Sequence, residues 1–161
     1  MEEKATNITD HFHGRLYIKR QIKKWDLPSS IQDNLGIKDF NYFFLTTSIE
    51  KDKQGHEHHV HFCLFPTKHE PVFLLEVETP KILPKLLHEC LQIVKNHVKN
   101  ILTSTGFCKT KELCYFGIFF SVPEPNEKGL NKLRNAVNKI DEVRNVNLFK
   151  YLTTSKNPIQ A

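Results

Sequence analysis

A chain of 161 residues is long enough for one domain with a sizeable core, and 39% apolar and 25% charged residues are ordinary for a folded protein. A formal charge of +5 and a pI near 9.0 fit an anionic partner, though they fit many plain domains as well. No apolar run follows the N-terminal Met-Glu-Glu-Lys, no stretch approaches the roughly 18 apolar residues of a membrane span, and no GxxxxGKS or GxxxxGKT is present. A signal peptide, a membrane helix and a P-loop ATPase are therefore not expected.

The first ten residues are polar and read as a frayed end. Residues 11–22 alternate Phe12, Leu16 and Ile18 with polar neighbours, which predicts an early strand. Pro28, Ser29 and Ser30 precede IQDNL and predict a short capped helix ending at Gly36. Residues 40–50 are aromatic and β-branched, a strand. KDKQGHE is a hairpin connection, and 59–65 a second strand bounded by Pro66. Residues 72–78 fit a strand or an irregular edge. Leu83, Leu86, Leu87, Cys90, Leu91 and Val94 begin a stripe that runs on to Leu102, so a long amphipathic helix is expected over 80–102. Residues 113–122 form the most apolar run, a central strand. Leu130, Leu133, Val137 and Ile140 predict a second amphipathic helix over 128–142. The segment 146–156 is short and ambiguous. Together these elements predict an α+β fold, a central and mainly antiparallel sheet with flanking amphipathic helices, in a single domain over 1–161. Cys63 and Cys90 lie in apolar contexts and read as small buried hydrophobes. All four cysteines, with Cys108 and Cys114, are expected to be free thiols in a reducing compartment.

The strongest local signal is GHEHHVHFCLF. On a strand, successive side chains take opposite faces, so His59, His61 and Cys63 share one face while Val60, Phe62 and Leu64 share the other. The second set is apolar and is expected on the core. The first puts two imidazoles about 7 Å apart, close enough to converge on one ion. Glu50, at the end of the preceding strand, can add a carboxylate, and so can Asp52 or Glu57, since hairpin register is open at this level. His56 and His58 read as solvent-facing. The other reading of this stretch is a solvated, histidine-rich hairpin.

An aromatic strand FFLTTSIEK, a polar turn, HVHFCLF, the long helix, the apolar strand LCYFGIFF and a closing LFKYLTTSKNP resemble, in that order, the HUH endonucleases. The layout is similar to the N-terminal nuclease domain of parvovirus replication initiators, over residues 40–158. The resemblance implies His59, His61 and Glu50 as ligands of Mg2+ or Mn2+, Tyr151 as the nucleophile and Lys156 as the assisting lysine. It implies a metal-dependent nick in single-stranded or hairpin viral origin DNA, a 5′-phosphotyrosine intermediate, rolling-hairpin replication in the host nucleus, and a helicase domain in a longer parent chain. Lys156 stands five residues after Tyr151, where the family commonly has four, so Lys150 is a second candidate. Phosphate contacts are expected from Lys109, Lys111, Lys132, Arg134, Lys139 and Arg144, among other basic residues. Three other readings remain: a non-catalytic α+β module that binds single strands on an aromatic sheet face, a structural or adaptor domain, and a hydrolytic metalloenzyme without a covalent adduct.

Overall fold

The computed structural model describes residues 12–51 and 57–161, with side chains outside 48–60. The chain runs β1 (Gly14–Ile18), α1 (Lys19–Lys23), α2 (Ser29–Leu35), β2 (Tyr42–Lys51), β3 (Glu57–Thr67), β4 (Val72–Thr79), α3 (Pro84–His97), β5 (Asn100–Thr110), β6 (Leu113–Ser121), α4 (Glu127–Asn138), β7 (Asn145–Tyr151) and β8 (Ile159–Gln160). The α+β architecture with antiparallel strands and flanking helices agrees with the sequence pattern. The strands divide between two sheets, however, ordered β1-β2-β3 and β5-β6-β4-β7-β8.

Local chemistry accounts for the element ends. Strand β1 stops where the Gln21 side chain accepts a hydrogen bond from the Ile18 amide at 3.0 Å and opens α1. The predicted strand over 11–22 is therefore half strand, half helix. Gly36 ends α2 with φ 63°, a left-handed conformation that glycine adopts without penalty. Pro84 sits in the first turn of α3, and Asn126 caps α4 by accepting from the Gly129 amide at 2.7 Å. The helix expected over 80–102 is shorter than its apolar stripe. Val98 turns extended, and Ile101 and Leu102 belong to β5. The stripe continued because a β-branched run at an exposed edge can mimic helical spacing.

From β4 to β7 the chain follows βαββαβ, and every neighbouring pair in the order β5-β6-β4-β7 is antiparallel. This is the split βαβ arrangement of ferredoxin-like folds. Strand β4, read from sequence as a strand or an irregular edge, lies in the interior of the sheet, and its apolar residues are buried on both faces. On one face Phe73, Leu75, Phe116, Ile118 and Leu148 pack under Leu86, Cys90, Val94, Leu133 and Val137 of α3 and α4. Burial, with the Glu89 carboxylate beside it, pushes the Cys90 thiol up to about 12, so it packs as a hydrophobe.

The small sheet covers part of the other face. Phe44 is fully buried, its ring centroid 5.2 Å from Phe119 and 4.9 Å from Tyr151. Phe12 reaches the same seam at 6.3 Å from Phe119. The layers meet closely at Gly117, where a Cβ would stand 2.7 Å from Leu74 Cδ1 and force that side chain to shift. The outer face of the small sheet has a core of its own, Phe43 with Ile22 and Ile37 from the α1–α2 segment. Cys108 and Cys114 face each other across β5 and β6 and are disulfide-bonded, which corrects the expectation of four free thiols. Cys63 is free but exposed rather than buried.

Phe44→Ala should remove the aromatic contacts at the seam between the sheets. A loss of about 3–5 kcal/mol is expected from the deleted ring and the cavity it leaves. Urea denaturation checks this, and a loss under 1 kcal/mol would mean that the seam is not a structural joint.

Candidate functional site

The histidine strand lies in the small sheet, outside the split βαβ unit. Its pairing with β2 sets Glu50 opposite His59, Ser48 opposite His61 and Thr46 opposite Cys63. Directly paired residues share a face, at a Cβ separation of about 5 Å. Positions 46, 48, 50, 59, 61 and 63 therefore form one face, and Glu50 and His59 are nearest neighbours on it. Of the three carboxylates left open in the sequence, Glu50 is the one whose backbone position pairs with His59. Glu57 pairs with Lys51, beyond an irregularity that leaves His58 as the extra residue. Asp52 and His56 lie outside the described residues. A carboxylate and two imidazoles at these positions are a donor set suited to a divalent ion. No cluster of three potential ligands occurs among the described residues, a set that excludes the side chains of Glu50 and His59.

The strand's other face departs from expectation. Phe62 is 60% exposed, while Leu64 packs, partly buried, against the outer cluster. The cause is length. Strands β2 and β3 have 10 and 11 residues, whereas β1 has five and reaches only to the Gly14–Thr46 rung. Thr47, His61, Phe62 and Cys63 lie at or beyond that rung and are exposed.

Tyr151 ends β7 opposite Val72. Its ring lies on the same side of β2 as positions 46, 48 and 50, since both share the face of Phe44. The Phe44–Phe65 rung is four residues from His61, about 13 Å along the strand. Tyr151 is only 2% exposed, and its hydroxyl has no hydrogen-bond partner among the described residues. Burial, and secondarily the Glu76 carboxylate, raise its pKa well above the ordinary tyrosine value. Glu76 is the residue that sequence reasoning passed over. It is a buried carboxylate, 3% exposed, that accepts from Asn147 Nδ2 at 3.2 Å. The signal was visible as an acid, Glu76, set between Leu75 and Val77 in the run VFLLEVE.

The candidate lysines do not meet the phenol. Alternation along β7 puts Lys150 on the opposite face from Tyr151. Lys156 is exposed in the following turn, which Glu70 anchors by accepting from the Thr153 amide and hydroxyl at 2.7 and 2.8 Å. The basic residues separate into two groups. Lys109 and Lys111 flank the β5–β6 turn, and Arg144 joins them by donating to the Glu112 carbonyl at 2.8 Å. That end of the sheet is seven rungs of β4 from Tyr151, about 23 Å. Lys132 and Arg134 lie on α4 and Lys139 is its C-cap, in the helical layer on the other side of the large sheet from β1–β3. On the aromatic face of the large sheet Tyr115, Phe119, Phe149 and Tyr151 are buried, while Phe107 is 38% exposed. Among the described residues no helix is long and apolar enough to cross a membrane. No protein-family model matches the chain, and no curated protein matches it.

Tyr151→Phe removes an unpartnered buried hydroxyl and keeps the ring. The variant should be as stable as the parent or more so, by up to about 1 kcal/mol in urea denaturation. A clear loss would reveal a hydrogen bond at that oxygen. The raised pKa has its own consequence. The unfolded phenol loses its proton near 10, while the folded one keeps it. Tyr151 therefore favours the fold fully below that pH, and the contribution falls as pH rises above it. In Tyr151→Phe the alkaline fall in stability should be shallower; equal falls would show that other groups carry it.

Proposed function

We propose that this chain binds a divalent ion, Mg2+ or Mn2+, through Glu50, His59 and His61, and that it is an endonuclease acting on single-stranded DNA. The observation that carries the reading is the cross-strand register: Glu50 pairs with His59, two positions along the strand from His61 and on the same face. Resemblance to the HUH endonucleases supplies the substrate, with single-stranded or hairpin viral origin DNA as partner and the host nucleus as the place of action. When bound, the ion supplies Lewis-acid stabilisation of charge developing on the phosphate. The chain's own residues hold and orient that ion, and Thr47, His61, Phe62 and Cys63 nearby are exposed.

The covalent version of this chemistry asks more of the fold. For Tyr151 to attack a phosphodiester, its hydroxyl must leave the aromatic seam and lose a proton that burial holds. Leaving means giving up the contacts with Phe44 and Phe119, each worth about 0.5–1.5 kcal/mol beyond the area buried. That position favours a second reading, in which water rather than Tyr151 attacks and no protein–DNA adduct forms.

Calorimetric titration with manganese tests the ion. His59→Ala should abolish binding and Glu50→Gln should weaken it at least about tenfold, or 1.4 kcal/mol, whereas His56→Ala should leave it nearly intact. Equal losses from His59→Ala and His56→Ala would remove the site. Incubating the protein with labelled single-stranded DNA and manganese, then running a denaturing gel, separates the chemistries. An adduct lost in Tyr151→Phe establishes tyrosine attack. Cleavage without an adduct, retained in Tyr151→Phe, establishes hydrolysis, and no cleavage in either protein refutes the endonuclease.

A further inference from the structure

Strand β5 lies at one edge of the large sheet, with β6 on one side and no second strand on the other among the described residues. It has 11 residues, and from Ser104 to Thr110 all are exposed. An edge of this kind presents amides and carbonyls that can pair with another chain, so proteins commonly blunt it with short strands, proline or charge. Two other edges here carry such devices: β8 has only two residues, and β3 contains Pro66. From Asn100 to Cys108, β5 has neither proline nor a charged residue.

The hydrogen-bond phase of the sheet shows which backbone groups face out. In an antiparallel ladder the amide and carbonyl of one residue point to one neighbour, and those of the next residue to the other. The Glu78 carbonyl accepts from the Arg144 amide and so points toward β7. Val77 therefore bonds its partner Phe116 on β6, and the backbone groups of Phe116 turn away from β5. The partner of Phe116 on β5 is Gly106, whose amide and carbonyl are thus left facing the open edge. The bond from the Ala161 amide to the Leu148 carbonyl gives the same phase, since through Leu75 and Ile118 it sets Ser104 facing out as well. The ladder is regular only from Thr103 to Cys108, between one irregularity at Ile101/Thr103 and another at Cys108/Thr110. The regular edge therefore offers Ser104, Gly106 and Cys108, spaced symmetrically about Gly106.

This segment is complementary to itself. We infer that β5 pairs antiparallel with β5 of a second copy of the chain, about a twofold axis at Gly106, and joins the two large sheets into one. Gly106 then faces Gly106 of the second copy, and each Ser104 faces a Cys108. Each of these pairs exchanges two backbone hydrogen bonds. On the face of Tyr115, Thr105 stands opposite Phe107 of the second copy, an aromatic–β-branched pair that covers a ring now 38% exposed. Lys109 falls opposite Thr103, so the register brings no lysines together. An axis at Ser104 or Cys108 would instead set Gly106 against Leu102 or Thr110, at or beyond an irregularity, and lose bonds. The interface is small, which implies a dimer that forms and separates with protein concentration.

Sedimentation velocity of the whole chain over a concentration series, together with amide hydrogen exchange, tests the pairing. The weight-average mass should rise from monomer toward dimer. The Ser104, Gly106 and Cys108 amides should slow in exchange as it does, whereas Thr105 and Phe107, whose amides point to β6, should not change. Ser104→Pro removes an outward amide and no bond to β6, so it should weaken association at least about tenfold and leave Trp25 fluorescence as it was. Should that variant fail to fold, Thr105→Lys decides: it sets a charge against Phe107 of the second copy and should weaken association similarly. A monomer throughout the series, a dimer in which exchange slows at β3 instead, or a dimer that the folded variant leaves unchanged would each overturn the pairing.

Discussion

The structure depends on an aromatic seam between two sheets. Phe44 enters from the small sheet and meets Phe119 and Tyr151 on the large one, with Phe12 alongside. The α3–α4 layer already serves the large sheet's other face, so the seam is what joins the small sheet and its α1–α2 cover to the rest. By itself the three-stranded sheet would leave the apolar face that carries Leu16 and Phe44 uncovered. Joined at the seam, it gains a floor, and β4 gains the second cover that its apolar residues on both faces require.

The seam also explains the placement of the candidate chemistry. One face of β2 serves two purposes along its length. Near β1 it is apolar and buried at Phe44; farther out, beyond the Gly14–Thr46 rung, the same face carries the positions of Ser48 and Glu50 and, across the ladder, His61 and His59. A pleated strand cannot change face without a bulge, so packing at one end fixes which residues look the same way at the other. The register of Glu50 against His59 is thus inherited from the core.

Much of this was legible in the sequence, and the failures have physical causes. Residues 59–65 form a strand as their alternation implied, and the step of three and four from Leu86 to Val94 gave the buried stripe of α3. The same step continued through Ile101 and hid β5, an edge strand whose residues beyond Thr103 are exposed and carry no alternation. Strand β4 looked ambiguous because a strand covered on both faces has no period to read. Phe62 was assigned to the core by its chemistry, but burial depends on whether a neighbour reaches that far, and β1 stops short. Tyr151 was singled out by the resemblance of the closing segment LFKYLTTSKNP. Only the tertiary contact with Phe44 shows that its ring belongs to the interior.

Trp25 is the chain's only tryptophan, and it packs edge-on to Tyr17 at 5.0 Å among the residues that cover Phe43. Its fluorescence therefore watches the outer cluster alone. Near-ultraviolet dichroism of the seam aromatics watches the junction one layer deeper. The protein thus carries two optical clocks on either side of one thin sheet. If they keep time through a melt, the small sheet and the split βαβ unit form one cooperative unit; if Trp25 runs ahead, the outer cluster loosens while the seam still holds.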